Sequence, residues 1–353
     1  MMDGYLLLYI VVCTIPLLLY PSSPKEDWLA LAATIQLAFI FVVARVMLNS
    51  QKRINYALVA LLVGLFALST LTILEQFQVI SLGTEVHEAV IGGEKITRYG
   101  SLAGGINRSA FYFGVGILLG CGLFIGTKSH LKKILIVGVI FFATLANLFT
   151  YSVGGLVSLT AGFLVLFFLR IRKKRFSFKR IAFGAVGLMI LLGLLSLNPR
   201  VPEKFDQIQN EEFIYWGTYR GGTVVAAVEA IAQYPLIGAG PAQFVHNVYE
   251  HFPFISTEHI KGAHNTLLSI AGESGLIGLL FFTLFAFNVI VLSWRHNRRY
   301  PSSTYQILFA CLGMALVWSL VFDAQRDKLF WIVLALLAAT LNVSPQTVQN
   351  RKR

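Results

Sequence analysis

Apolar residues gather along this chain in broad runs rather than in single stripes, and the runs recur throughout it. They lie near 4–20, 28–48, 56–74, 109–126, 131–148, 152–169, 181–197, 265–294, 305–322 and 329–343. Most reach about 17 to 20 residues, enough for a helix to cross a hydrocarbon core of roughly 30 Å. Lipid offers peptide groups no hydrogen-bond partner, so each run must satisfy its own backbone, and a helix does that. The pattern predicts an all-α, polytopic integral membrane protein of about ten transmembrane helices.

Polar positions are left to the connections, two of which are long. The first, 75–108, is acidic overall but ends with Lys95, Arg98 and Arg108. The second, 198–264, is too long to be structureless and predicts structure of its own. Within it, Val224, Val225, Val228, Ile231 and Ala232 recur at helical spacing over 219–233, with Glu229 on the other side and Pro235 ending the pattern. This predicts an amphipathic helix, opened by Arg220, that lies on or dips into the membrane surface. Gly238-Ala239-Gly240-Pro241 then predicts a chain reversal. The expected organisation is a single membrane domain over 1–353, with the external loops 75–108 and 198–264 and, after the second, the C-terminal helices of 265–343.

Composition agrees, and charge orients the chain. Of 353 residues, 56% are hydrophobic and 13% charged, about half the charged share of a soluble domain. Lys and Arg crowd into alternate connections: Lys52 and Arg53; Lys128, Lys132 and Lys133; seven over 170–180; Arg295, Arg298 and Arg299; and Arg351, Lys352 and Arg353. None of these holds an Asp or Glu, and the positive-inside rule puts them and both termini in the cytoplasm. Every acidic residue but Asp3 falls in the opposite loops or at span ends facing them. Two basic clusters bound the stretch 128–180, so an even number of crossings separates them; that requires a tight turn at Thr150-Tyr151. The net charge of +12 is thus a topology signal, and the run at 170–180 reads as a juxtamembrane loop rather than a nucleic-acid patch. Cys13, Cys121 and Cys311 sit in separate spans, without metal-ligand spacing or a disulfide pattern, and read as packing residues. The first span lacks a basic leader and a small-x-small cleavage site, which predicts a retained helix.

Candidate chemistry collects on the external side. Arg220, followed by Gly221 and Gly222, is read at a helix N-terminus, where free N–H groups and a guanidinium fork suit an anion; an interfacial arginine meeting headgroups is the plainer alternative. Arg98 and Arg108 flank the glycine-rich stretch 100–107, and Arg108 sits where the fourth span begins. Each is read as a phosphate contact or as a snorkelling side chain. His264, in Gly262-Ala263-His264-Asn265, is a candidate general base, or else an interfacial histidine bonded to a carbonyl. Glu273 lies nine residues on; in one unbroken helix that is about 13 Å along the axis and on the opposite face, so the two do not form a pair. A carboxylate so deep in an apolar run is expected to face a cavity. Gly275 and Gly278 read as close-packing positions. Asp323, Arg326, Asp327 and Lys328 form a charged turn that either caps helices or lines the same external cavity. There is no Asp-x-Asp pair, Cys/His cluster or His-Glu-x-x-His, so no metal site or cofactor is implied and phosphate charge falls to the arginines. The glycines at 238 and 240 follow no predicted strand, which argues against a dinucleotide loop.

The run His264-Asn265-Thr266-Leu267-Leu268, followed by Glu273-Ser274-Gly275-Leu276-Ile277-Gly278-Leu279, resembles the C-terminal signature of the O-antigen ligase and polymerase superfamily. Arg220 with Tyr234-Pro235-Leu236-Ile237-Gly238-Ala239-Gly240 resembles its large periplasmic loop, and Arg98 with Asn107 and Ala110 its earlier arginine, glycine and asparagine stretch. The resemblance runs over about 95–340, with Ile106 where proline is common. It implies a metal-independent, GT-C-like glycosyltransferase in a bacterial inner membrane. Such an enzyme takes a glycan from undecaprenyl diphosphate at the periplasmic face and passes it to a sugar hydroxyl, as a ligase acting on lipid A-core or as a polymerase of repeat units in polysaccharide biosynthesis. By resemblance His264 is the catalytic base and Arg220 a catalytic residue, with Arg98, Arg108 and Arg220 on the diphosphate. Asn265, Glu273, Asn107 and Asp323 would support them. In Thr150-Tyr151-Ser152-Val153-Gly154 relatives often carry arginine after the serine, so either the charge missing at Val153 comes from elsewhere, with Arg98 and Arg108 the candidates, or the donor or activity differs. Glu26 and Asp27 lie where some other membrane glycosyltransferases hold catalytic acids, but Ser23-Pro24-Lys25-Glu26 reads first as a capping box. A transporter would place charge near the bilayer midplane, where these spans carry almost none; a non-catalytic scaffold is the remaining alternative.

Overall fold

A computed structural model of the chain describes residues 2–19, 24–91, 94–171, 193, 198, 200, 213–241 and 262–343. The seventh expected span, most of the basic run at 170–180, the terminal basic cluster and Ser23 of the expected capping box lie outside the described residues. In chain order the elements are α1 (Met2–Leu19), α2 (Pro24–Met47), α3 (Gln51–Gln76), β1 (Val86–Ile91), β2 (Glu94–Tyr99), α4 (Ile106–Gly126), α5 (His130–Thr150), α6 (Val153–Ile171), α7 (Phe213–Gln233), α8 (Thr266–Arg299), α9 (Ser303–Trp318) and α10 (Lys328–Ala339). Six of them (α1 to α5 and α8) are long and apolar enough to cross a membrane, and α6, α7, α9 and α10 contain shorter apolar helices. This is an all-α polytopic membrane fold.

Tyr151 makes the tight turn between α5 and α6. Its left-handed backbone (φ 46°) ends α5, and α6 starts two residues later. The β1–β2 hairpin was not expected from the sequence. It is antiparallel, pairing Val86 with Tyr99 and Ile91 with Glu94, and among the described residues there is no second sheet against which an alternating apolar face would be selected. The Glu75 carboxylate orders the approach to it, accepting from the backbone N–H of Leu82 (3.0 Å) and Thr84 (3.1 Å) and from the Thr84 hydroxyl (2.6 Å).

The chain divides into two compact units. One comprises Met1–Asn49, Asn210–Tyr300 and Ser319–Arg353. Its core is aromatic: Phe41 meets Phe285 edge-on at 4.9 Å, Phe285 stacks on Trp331 at 5.7 Å, and Tyr9 lies 5.2 Å from Phe282. An Asp3–Arg45 ion pair joins the start of α1 to the end of α2. The other unit comprises Ser50–Gln209 and Pro301–Trp318 and is built around α4. Small residues let its neighbours approach closely: Gly114 faces Met314, Gly116 faces Leu65 and Ala143, and Gly120 faces Ile140. Phe111 stacks on Trp318 at 4.3 Å, and the buried Asn147 amide donates to the Ala110 carbonyl (2.9 Å), tying α5 to α4.

Candidate active site

His264 sits just outside the start of α8, in a left-handed conformation (φ 51°) that side-chain-bearing residues rarely adopt. Asn265 is the N-cap, its side-chain oxygen accepting from the N–H of Leu267 (3.0 Å) and Leu268 (3.1 Å). The helix therefore begins after the histidine, not at it, leaving the imidazole beside the N-terminus and half-buried. The turn between α9 and α10 grips this segment. Thr266 N–H donates to the Ser319 carbonyl (2.9 Å) and the Asn265 amide to Leu320 (3.1 Å). The Thr266 hydroxyl donates to Phe322 (2.8 Å) and accepts from Ala324 N–H (2.9 Å). Asp323 accepts from the Ser269 hydroxyl, and Ser269 accepts from Ala263 N–H (3.0 Å). Gly262 is so close to the Asp323 carboxylate that a Cβ there would collide with it. Asp323 thus holds the loop before the histidine, while Asp327 caps α10, accepting from Leu329 N–H (2.8 Å) and Phe330 N–H (3.2 Å).

Two expectations about α8 need correction. Gly275 is more than a packing position: its backbone (φ 66°, ψ −175°) breaks the helix. The segment after α7 is spliced into the break. Ala239 and Gly240 N–H groups donate to the carbonyls of Gly272 and Glu273 (2.9 Å each), while Leu276 and Ile277 N–H donate to Pro235 (2.8 Å) and Leu236 (3.2 Å). The carbonyls and amides freed by the break are thereby satisfied within the protein, as burial in an apolar medium demands. Gly278, by contrast, packs closely against Ser274 and Val12. Glu273, expected to face a cavity, instead forms an ion pair with Arg326, which leaves 13% of the glutamate side chain and 28% of the arginine exposed. Burial disfavours the Arg326 charge, but the carboxylates of Glu273 and Asp323 outweigh it and hold the guanidinium above its ordinary pKa.

Arg220 is also corrected. α7 begins at Phe213, so Arg220 lies two turns inside it rather than at its N-terminus, and free helix N–H groups cannot assist it. Phe213, Ile214, Tyr215 and Trp216 carry the helix upstream, and Gly221-Gly222 is accommodated within it. Buried Ala227 and Ala230 pack with Ala239 and Ala263, while Val224, Val225 and Val228 face outward.

In the other unit Arg98, on β2, donates from Nε to the Thr150 carbonyl (2.9 Å) and from Nη2 to Asn107 Oδ1 (3.4 Å). Asn107 Oδ1 also accepts from the Ser152 hydroxyl (2.9 Å). The guanidinium is thus anchored to the last residue of α5 and to Asn107, at the turn that leads into α6. Arg108 folds over Gly104, with Nη1 2.8 Å from where a Cβ would stand and φ at that glycine 121°. The arrangement therefore groups His264, Asn265, Glu273, Asp323 and Arg326 in one unit, and Arg98, Asn107, Arg108 and Ser152 in the other. Ser269, Thr266 and Ser152 were not expected as site residues; Thr266 and Ser152 lie in stretches that carry the resemblance, but a small hydroxyl residue in or beside a span gives no local sign of the bonds it makes across the fold.

No curated protein matches the chain. Among solved structures, a chain from a study of polymerization and crosslinking by a peptidoglycan synthase complex aligns over 96% of this chain and 95% of its own, at 16% identity and a TM-score of 0.45. Residues 137–283 match the family described as O-antigen ligase. That stretch holds Val153, Arg220, His264, Asn265 and Glu273 and stops short of Asp323. Over residues 137–283, therefore, the chain is similar to the O-antigen ligase family, which supports the resemblance to the O-antigen ligase and polymerase superfamily.

Proposed function

We propose that this protein is a metal-independent membrane glycosyltransferase that moves a glycan from undecaprenyl diphosphate to a sugar hydroxyl at the periplasmic face of the inner membrane, as an O-antigen ligase using lipid A-core. The observation that carries the reading is His264. It is a half-buried imidazole held in left-handed backbone beside a helix N-terminus, inside the segment that matches the family. In the reaction the bond from the anomeric carbon to the diphosphate oxygen breaks and a bond to the acceptor oxygen forms. The acceptor hydroxyl proton passes to His264, and the diphosphate leaves as an anion. Arg220 meets that negative charge as it develops, and by the resemblance Arg98 and Arg108 are assigned to the diphosphate as well. Arg98 supports this role, because its guanidinium stands at the turn that leads into α6, where relatives often carry the arginine that Val153 replaces. A neutral side chain at 153 with a cation at that turn keeps the local charge.

Complementation of a null strain tests the reading. His264→Ala and Arg220→Ala, each at normal protein level, are expected to lose the glycan product; normal product from both refutes the site. The null strain itself separates ligase from polymerase: loss of all polysaccharide from lipid A-core indicates a ligase, and a single repeat unit still attached indicates a polymerase. Labelling that finds 198–264 in the cytoplasm overturns the orientation and the function with it.

A further inference from the structure

We infer that Thr266 is a positioning residue for His264, acting through its hydroxyl; the inference rests on reading His264 as the base. A left-handed backbone at a residue with a side chain persists only where its surroundings hold it. Those surroundings are the turn 319–327, and Thr266 is its central post. The side chain is buried, 3% exposed, and its hydroxyl is used in both directions on that one turn, donating to Phe322 and accepting from Ala324. Its N–H holds Ser319 as well. Phe322, whose carbonyl the hydroxyl fixes, places its ring 6.1 Å from the imidazole. The hydroxyl therefore ties together the chain two residues beyond His264 and the ring that flanks it. Ser269–Asp323 and Arg326–Glu273 anchor the same turn farther along, so its grip on α8 survives the loss of one bond.

Threonine allows a clean separation of bonding from packing. Thr266→Val keeps the β-branched shape and removes both hydroxyl bonds; Thr266→Ser keeps the bonds and removes a methyl group. A packing role ranks valine above serine, and a positioning role ranks serine above valine. Turnover is measured in membranes with an undecaprenyl diphosphate-linked glycan donor and lipid A-core acceptor. Thr266→Ser is expected within about twofold of wild type, and Thr266→Val to lose about tenfold to a hundredfold in kcat with KM for the donor little changed, as a slightly misplaced base requires. Equal turnover of valine and wild-type proteins overturns the inference, as does valine exceeding serine. If the valine protein does not accumulate, Thr266→Ser against Thr266→Ala makes the same comparison, and equal turnover of those two overturns it. His264→Ala is run alongside. Inactivity there with normal turnover in Thr266→Val removes only the positioning role, whereas normal turnover in His264→Ala removes the base assignment beneath it.

Discussion

Consider Gly275→Ala. The backbone at 275 (φ 66°, ψ −175°) lies in a region that essentially only glycine occupies, and forcing a side chain into it costs about 1–3 kcal/mol. A Cβ at 275 would also collide with the Leu236 carbonyl and stand 2.5 Å from Ile237 N, both of them backbone atoms that no rotamer change can clear. The spliced segment has to move away, and the bonds from Leu276 to Pro235 and from Ile277 to Leu236 go with it. Each contributes about 1 kcal/mol net. The whole loss is about 3–5 kcal/mol, which in a chain of this size lowers Tm by roughly 5–15 °C. The three cysteines are all buried, so a thiol-reactive dye reports the melting of the detergent-purified protein. Gly138→Ala is the control: nothing lies within 4 Å of its Cβ position, and alanine in a helix interior is neutral or stabilises by up to about 1 kcal/mol. A Gly275→Ala protein that melts with wild type, while α8 remains intact, refutes the splice.

Three further outcomes follow from the same geometry. Glu273→Leu should cost about 2 kcal/mol, less than a fully buried pair because Arg326 is 28% exposed; adding Arg326→Leu should recover most of it, and simple additivity of the losses in Glu273→Leu and Arg326→Leu would disprove the pairing. Arg98→Ala should lower glycan transfer by about a hundredfold or more, with part regained on adding Val153→Arg; an Arg98→Ala strain with normal product rules out the role given to that guanidinium. Asp327→Ala removes the cap of α10 and should cost about 1 kcal/mol in the same melting assay, whereas Asp327→Asn should not; equal melting of the alanine and wild-type proteins counts against the cap.

Hydropathy alone determined the helices at 106–126, 130–150 and 266–299, because lipid leaves each segment to satisfy its own backbone, a requirement written locally. The turn at Tyr151 and the end of α7 before Pro235 were equally legible, since charge parity and a missing N–H act within a few residues. The histidine block could be read as well, whereas the cap that Asn265 supplies came only from the structure. The start of α7 could not be read, because Phe213, Ile214, Tyr215 and Trp216 have only middling helix propensity and carry no local start signal. Glu273 and Arg326 lie 53 residues apart, and Arg98 and Thr150 lie 52 apart, separations at which no periodicity operates. Gly275 shows the limit most clearly. The sequence around it continues as an apolar helix, and only the backbone of 235–240, arriving from another part of the chain, supplies the hydrogen bonds that allow the helix to break. Local preference sets which segments are helices; hydrogen bonds and charges shared between distant segments set where His264 stands and what holds it.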